Sequence, residues 1–345
     1  MRLPVCIFSA ALLFGCCQPV IAQAGAQKPP LTDNEVTTIR KAAESGDADA
    51  QSKLCSMSYN NEDVPQDDAQ AVVWCRKAAD QGNAFAQATL GVMYAFGIGV
   101  PRDDAQAAVW YRKAAEQGDA IAQYNLALCY IDGKGVPQDS AKAAVWIRKA
   151  ADQGNAFAQF NLGFSYASGR GVPQDNTQAV YWYRKAAEQE ILKAQYNLAL
   201  FYSYGAKGVP QDYGQAVYWY RKAADQGDAT AEQELGELYY NGQGVPQDYG
   251  QAVYWVRKAA DQGDAAAQWD LGLAYQSGKG IPQSNSEAYF WLDIAASSEA
   301  SGILQQEVSK SRDEAASHLT PAEISRVQER ARKWSAEYPT KADAR

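Results

Sequence analysis

The chain has 345 residues, with 40 acidic against 32 basic side chains, a net charge of −8, one histidine and six cysteines. That acidic balance makes nucleic acid and anionic lipid surfaces poor partners. A lone histidine cannot build a histidine-based metal cluster, His318 falls in the carboxy-terminal capping region where it reads as a solvated residue, and no phosphate-loop or Gly-x-Ser-x-Gly pattern occurs.

At the amino end Arg2 precedes an apolar run from Val5 to Cys17, and Ala22-Gln23-Ala24 has the small-x-small form of a cleavage site. Residues 1–24 therefore read as a secretory signal peptide, too short for a good transmembrane helix. Leu13-Phe14-Gly15-Cys16 is close to a lipobox, which makes lipidation at Cys16 the alternative, although Phe14 is bulky for such a box. Both readings export the mature chain, to the periplasm or, alternatively, anchored to the outer membrane or secreted. A lipid anchor is the only membrane attachment the sequence suggests. Residues 25–34, with Gln27-Lys-Pro-Pro, read as a linker. Ile39 to Asp47 then matches the second half of the unit described next, without a first half, and reads as an amino-terminal cap.

From there the chain repeats. Trp74, Trp110, Trp146, Trp182, Trp219, Trp255 and Trp291 recur every 36 residues, with one spacing of 37 caused by an extra residue at Ala206-Lys207. A period of that size marks a solenoid. Seven repeats follow from it, 48–83, 84–119, 120–155, 156–191, 192–228, 229–264 and 265–300. In each, apolar residues at helical spacing, such as Phe85, Leu90, Met93 and Tyr94, predict a first helix (helix A). A Gly-x-Gly-x-Pro loop ends it in most repeats, with Asn61 and Asp63 in place of the glycines in repeat one, and an aspartate followed three residues later by glutamine, as in Asp103/Gln106, or Ser284 with Glu287 in repeat seven, predicts a capping box that opens a second helix (helix B). Helix B carries Ala107, Trp110, Tyr111 and Ala114 on its apolar face and stops at Gly118. Glu190-Ile191 breaks the usual Gly-Asp or Gly-Asn turn, which predicts a changed turn between repeats four and five. In repeat seven Asp293-Ile294 replaces the usual Arg-Lys pair, so something must cover that surface. Ile303, Leu304 and Val308 suggest one covering helix, and the capping box Thr320-Pro321-Ala-Glu323 opens another through Val327 to Trp334. Residues 301–336 are thus a helical cap, and 337–345 a tail.

Three cysteines remain after cleavage at Ala24. Cys55 and Cys75 face each other across one hairpin, and an oxidising compartment would permit a disulfide between them, a one-turn offset in register being the alternative. Cys129 reads as a small buried apolar residue. Each helix B arginine has an acid four residues on, as in Arg76/Asp80 and Arg112/Glu116, which predicts ion pairs that neutralise the basic stripe.

The pattern A-x-A-Q-x-x-L-G-x-x-Y-x-x-G-x-G-V-P-Q-D-x-x-Q-A-x-x-W-Y-R-K-A-A-x-x-G resembles the Sel-one-like repeat, a relative of the tetratricopeptide repeat, over residues 35 to about 300. The resemblance implies an all-α fold, a right-handed α/α solenoid (superhelix) of stacked helical hairpins with terminal cap helices, serving as an adaptor for other proteins. It also implies an envelope or host-contact role for exported members. A cysteine-rich branch is described as penicillin-binding or β-lactamase-like, but the disulfide pairs that mark it are missing here. By the tetratricopeptide analogy helix A lines the concave side. There Tyr124, Phe160 and Tyr196 at the fifth position and Leu128, Phe164 and Leu200 at the ninth form an apolar strip, flanked by Asn125, Asn161 and Asn197 at the sixth. Such a strip would hold a peptide, the amides bonding its backbone, or else its rings fill gaps between helices. The sequence thus reads as a non-enzymatic, monomeric scaffold of the bacterial envelope that binds a protein or peptide, without cofactor or metal. Its alternatives are a secreted host-contact factor or a cell-wall or β-lactam hydrolase.

Overall fold

The computed structural model describes residues 31–60, 64–297 and 303–337. The signal peptide with Cys16, most of the linker, the loop residues 61–63 and the tail from 338 lie outside the described residues, as do the side chains of Ile303 and Leu304. Helix α1 spans Asp33–Glu44. Seven hairpins follow: α2 and α3 (Ala48–Asn60, Asp68–Asp80), α4 and α5 (Ala84–Phe96, Asp104–Glu116), α6 and α7 (Ala120–Asp132, Ser140–Asp152), and α8 and α9 (Ala156–Ser168, Asn176–Glu188). Then come α10 and α11 (Leu192–Tyr204, Tyr213–Asp225), α12 and α13 (Ala229–Asn241, Tyr249–Asp261), and α14 and α15 (Ala265–Ser277, Asn285–Ser297). Helices α16 (Ile303–Ser317) and α17 (Pro321–Glu337) close the described chain, which is an all-α solenoid.

The chain divides after Ala186, inside α9, into two compact units. In the first, helices pair as hairpins (α2 with α3, α4 with α5, α6 with α7), and each second helix packs on the first helix of the next hairpin. Its core is built from Leu90, Leu126 and Leu162 against the alanines of helix B, such as Ala114 and Ala150. The second unit repeats the scheme around Leu198, Leu235 and Leu271.

The short-range signals explain the helix ends. Asp103 has extended backbone and its Oδ1 accepts from the amides of Ala105 and Gln106 at 3.0 and 2.9 Å. The same cap opens α3, α7, α11 and α13. The full two-way box, with the acid reaching back, is formed by Thr32 with Glu35 and by Thr320 with Glu323; in the repeats the structure shows only the aspartate's half of the box. Thr32 starts α1 two residues before the expected end of the linker. After helix A the cap aspartate returns to it, the amide of Asp103 donating to Tyr94 O and that of Asp139 to Tyr130 O, both at 2.9 Å. These bonds close the hairpin whatever occupies the loop, and the long loop of repeat five fits in as a tight reversal with paired bonds between Ala206 and Val209.

Two expectations need correction. The turn after α9 keeps its usual conformation, because Glu190 adopts φ 63° where the other repeats place glycine, and its amide still bonds Ala187 O at 3.1 Å. Its neighbour Ile191 caps α10 with no side-chain bond. Five helix B arginines hydrogen-bond the next hairpin rather than the acids four residues on, although the Arg257 charge still favours the Asp261 anion. Arg112 Nη2 donates to Tyr130 Oη at 3.1 Å and Arg257 Nη2 to Tyr275 Oη at 2.5 Å, while Arg76, Arg148 and Arg221 donate to Tyr94, Tyr166 and Tyr239. Four of these guanidinium groups also lie 5.4–5.8 Å from the centroid of the same ring. A planar cation gains both a hydrogen bond and a ring contact that way, which a flexible exposed carboxylate does not offer.

The cap covers α15. Ile294 and Val308 are buried, and Trp334 meets Trp291 edge-on at 5.7 Å. Arg330 binds Glu287 through both nitrogens at 2.7 and 2.8 Å, with its guanidinium 3.8 Å above the Phe290 ring. Position 290 corresponds to Tyr218 and Tyr254, which remain exposed.

Candidate functional site

The predicted strip is divided between the two units. In the first, Tyr124 is buried, and its hydroxyl accepts from Asn161 Nδ2 at 3.1 Å, with Asn161 buried as well. This amide is engaged inside the protein and does not face a ligand, which corrects the role expected for it. Phe160 is half-buried, its ring 5.7 Å from that of the fully enclosed Tyr183, and Leu128, Phe164 and Asn125 are half-buried too. In the second unit Tyr196 is half-buried, 5.8 Å from Tyr220, Asn197 is half-buried and Leu200 is buried. Part of the strip is therefore packing, while Leu128, Phe160, Phe164 and Tyr196 keep an open edge.

A second set of residues was not recognised from the sequence. The glutamine of each A-x-A-Q segment is buried, and its amide donates back to a carbonyl eight residues earlier: Gln87 to Ala79 O at 3.0 Å, and Gln123 to Ala115 O at 3.2 Å. Its oxygen accepts from the glutamine ending the next helix B, Gln117 to Gln87 and Gln153 to Gln123, each at 2.8 Å. The first bond fastens a hairpin to the one before it, and the second ties the two helices of the same hairpin. In repeat six the position is Glu232, fully buried, which accepts from Gln262 at 2.7 Å and pairs with Lys258 at 2.9 Å. The bond to Glu232 raises the Lys258 pKa. This charge pair ties the two helices of the sixth hairpin and is structural.

A departure from regular packing lies in the second unit, between α12 and α14 over α13. A cavity of about 460 Å³ opens there, walled by Trp269, Leu273, Val253 and Val256, with Glu237 and Asp270 among its lining. Burial, reinforced by Glu237, pushes the Asp270 carboxyl up to about 6, a bond from Gln233 at 3.4 Å opposing the shift. Nearby, burial and the same Glu237 charge raise Glu234 to about 7. Between about pH 4 and 7 the folded chain holds protons that the unfolded chain has released, so stability falls as pH rises through that window. The second unit should therefore resist denaturant better at pH 5 than at pH 8, by roughly 2 kcal/mol after discounting for partial exposure. Glu234→Gln should flatten most of that slope in urea titrations at the two pH values; an unchanged slope would assign it to other groups.

The carboxyl groups at this cavity are Glu237 and Asp270 in its lining and Glu234 nearby. Among the described residues no three His, Cys, Asp or Glu side chains are grouped to hold a metal ion, and no helix is long and apolar enough to cross a membrane. His318 lies at the end of α16, where its amide bonds Ala315 O at 3.3 Å. Cys129 is only half-buried, yet burial pushes its thiol up to about 11, so it is protonated and unreactive at neutral pH. Cys55 and Cys75 are joined in a disulfide and fully enclosed.

The Sel1 repeat matches the chain at residues 48–83, 84–119, 120–155, 156–190, 192–228, 229–264 and 265–299. A solved structure of a protective antigen present in uropathogenic Escherichia coli strains, displaying an SLR fold, is 34% identical, with 88% of this chain and 72% of that one covered at a TM-score of 0.60. A Sel1 repeat protein from Oxalobacter formigenes is 37% identical over 81% of this chain and 80% of its own, also at a TM-score of 0.60. A comparison with curated proteins returned no match. Repeats, hairpins and relatives agree, and the chain belongs to the Sel1 repeat family.

Proposed function

We propose that this protein is a non-enzymatic scaffold of the bacterial envelope that binds a protein or peptide segment along its helix A faces. Sel1 repeat proteins are generally protein-interaction scaffolds, which supports the class. The observation that carries the finer reading is that helix A keeps large apolar side chains partly open: Phe160 and Phe164 in the first unit, Tyr196 and Trp269 in the second. Side chains needed only as filler would be closed over by the next hairpin, as Leu162 and Leu198 are. Export is supported by the leader-like segment before Ala24 and by the enclosed disulfide, which suits an oxidising compartment. The Escherichia coli relative is a protective antigen, which favours a host-exposed location as the second reading.

The test is crosslinking in intact cells with the tagged chain, followed by affinity measurement on the captured protein. Phe160→Ala should weaken that affinity by about 1–3 kcal/mol, the range for an aromatic contact residue, while helical content and unfolding midpoint stay close to wild type. Unchanged affinity in the folded variant would remove the first unit's helix A face from the interface.

A further inference from the structure

The cavity between α12 and α14 lies where repeat six lacks two rings that repeats four and five carry. The residue after the helix B tryptophan is Tyr111, Tyr183 and Tyr220 in repeats two, four and five, but Val256 in repeat six. The fifth residue of helix A is Tyr124, Phe160 and Tyr196 in repeats three to five, but Gln233 in repeat six. Repeat three also lacks the first ring, having Ile147, yet Phe164 remains beside it and only about 20 Å³ is left open there. In repeat six, where both rings are absent, about 460 Å³ is open, within the range of sites that take a ligand group.

The lining fixes the chemistry of what fits. Trp269, Leu273 and Val253 give it an apolar wall, and Glu237 on α12 and Asp270 on α14 add two carboxylates to the lining. The one lysine in the lining, Lys279, is committed to Tyr240, with Nζ 2.9 Å from its hydroxyl and 5.1 Å from the ring centroid, and lies 5.4 Å from the Tyr249 ring. An anion would meet two acids and an engaged lysine; a neutral apolar group would leave the half-buried Asp270 carboxyl without a countercharge. We propose that this cleft is a socket for a lysine or arginine side chain of the bound segment, the stem lying along Trp269 and Leu273 and the cationic head between Glu237 and Asp270. This deepens the scaffold reading and rests on it. The environment of Asp270 agrees: its carboxyl is disfavoured as an anion by burial and by Glu237 and Asp264, with only the Gln233 amide in support, and a seated cation relieves that cost. A basic side chain has the amphipathic build such a socket requires.

The test uses capped pentapeptides, Ala-Ala-Lys-Ala-Ala and its arginine and norleucine counterparts, titrated into the full chain by calorimetry. The lysine or arginine peptide should bind at least about tenfold more tightly than the norleucine peptide, the step expected for one well-desolvated charge contact. Glu237→Gln combined with Asp270→Asn should erase that preference. Val256→Tyr, which restores the ring that Tyr183 supplies beside Gly163, should abolish binding without loss of helix content. Equal affinity for the norleucine peptide, or no saturable binding of either basic peptide, overturns the proposal. The cellular crosslinking separates the two ideas: basic-peptide selectivity without any captured protein sinks the scaffold reading and leaves the socket. A protein captured equally by wild type and Val256→Tyr supports the scaffold and overturns the socket as its contact.

Discussion

Gly135→Ala should destabilise the first unit by about 3–5 kcal/mol, whereas Gly118→Ala, only 17 residues away in a turn with a similar sign of φ, should cost about 1 kcal/mol. Both glycines have left-handed backbone, φ 69° at Gly135 and 99° at Gly118. What differs is the surroundings. A Cβ at Gly118 would meet nothing within 4 Å, so alanine there carries only the conformational strain. At Gly135 the added carbon would overlap the carbonyl of Asp104, in the first turn of the preceding helix B, and neither backbone can yield without separating the hairpins. Gly171 stands in the same relation to Ser140, and in the second unit Gly244 and Gly280 to Tyr213 and Tyr249. The second glycine of each Gly-x-Gly loop is thus a contact between hairpins. Repeat arrays can unfold piecewise, so the measurement should be hydrogen exchange of α5 to α7 alongside urea titration. Equal losses for the two variants would mean that the loop moves away at little cost.

Removing the Cys55–Cys75 disulfide should cost about 3 kcal/mol in repeat one. The two cysteines are separated by 20 residues, and closing a loop of that size lowers the entropy of the unfolded chain by roughly that amount. Their positions explain why the bond forms. Cys55 occupies the helix A site held by Gly91 and Gly163 in repeats two and four, and Cys75 the helix B site held by Tyr111 and Tyr183. Those pairs touch: a Cβ on Gly91 would come within 2.6 Å of the Tyr111 ring, and on Gly163 within 2.7 Å of Tyr183. Repeat one replaces a ring resting on a glycine by a covalent bond across the same joint, with Cα atoms 4.8 Å apart. Cys55→Ala with Cys75→Ala should lower the urea midpoint of the first unit while the second unit keeps its own. Dithiothreitol should act on the wild type only slowly under native conditions, since both sulfurs are enclosed. A double variant as stable as wild type would show that the alanines repack and the crosslink contributes nothing.

How much of the site was legible follows from the reach of each interaction. The aspartate caps, the glycine loop and the final Thr320 capping box bond within a few residues, and they were read correctly in place, save for the missing half of the repeat box. The arginines misled because their acids four residues on are visible in the sequence, while the tyrosine that binds each one lies 18 residues away at the end of the next helix A. Asn161 misled for the same reason, its partner Tyr124 being 37 residues off. The cleft over Val256 was hidden twice, since each replacement is an ordinary apolar or polar residue by itself and only their meeting at one point leaves space.

By itself the sequence determined the class of this protein: a 36-residue period written seven times, with helix starts and stops in each copy, admits little besides a stack of helical hairpins. Only the tertiary structure decided which rings are filler and which stay open, which glycine is a turn and which a contact, and where a missing ring becomes a cavity. Periodicity fixes the neighbours along one helix, a matter of 3.6 residues per turn. The neighbours across hairpins are set by how closely two helices approach, and that depends on the side chains of both at once.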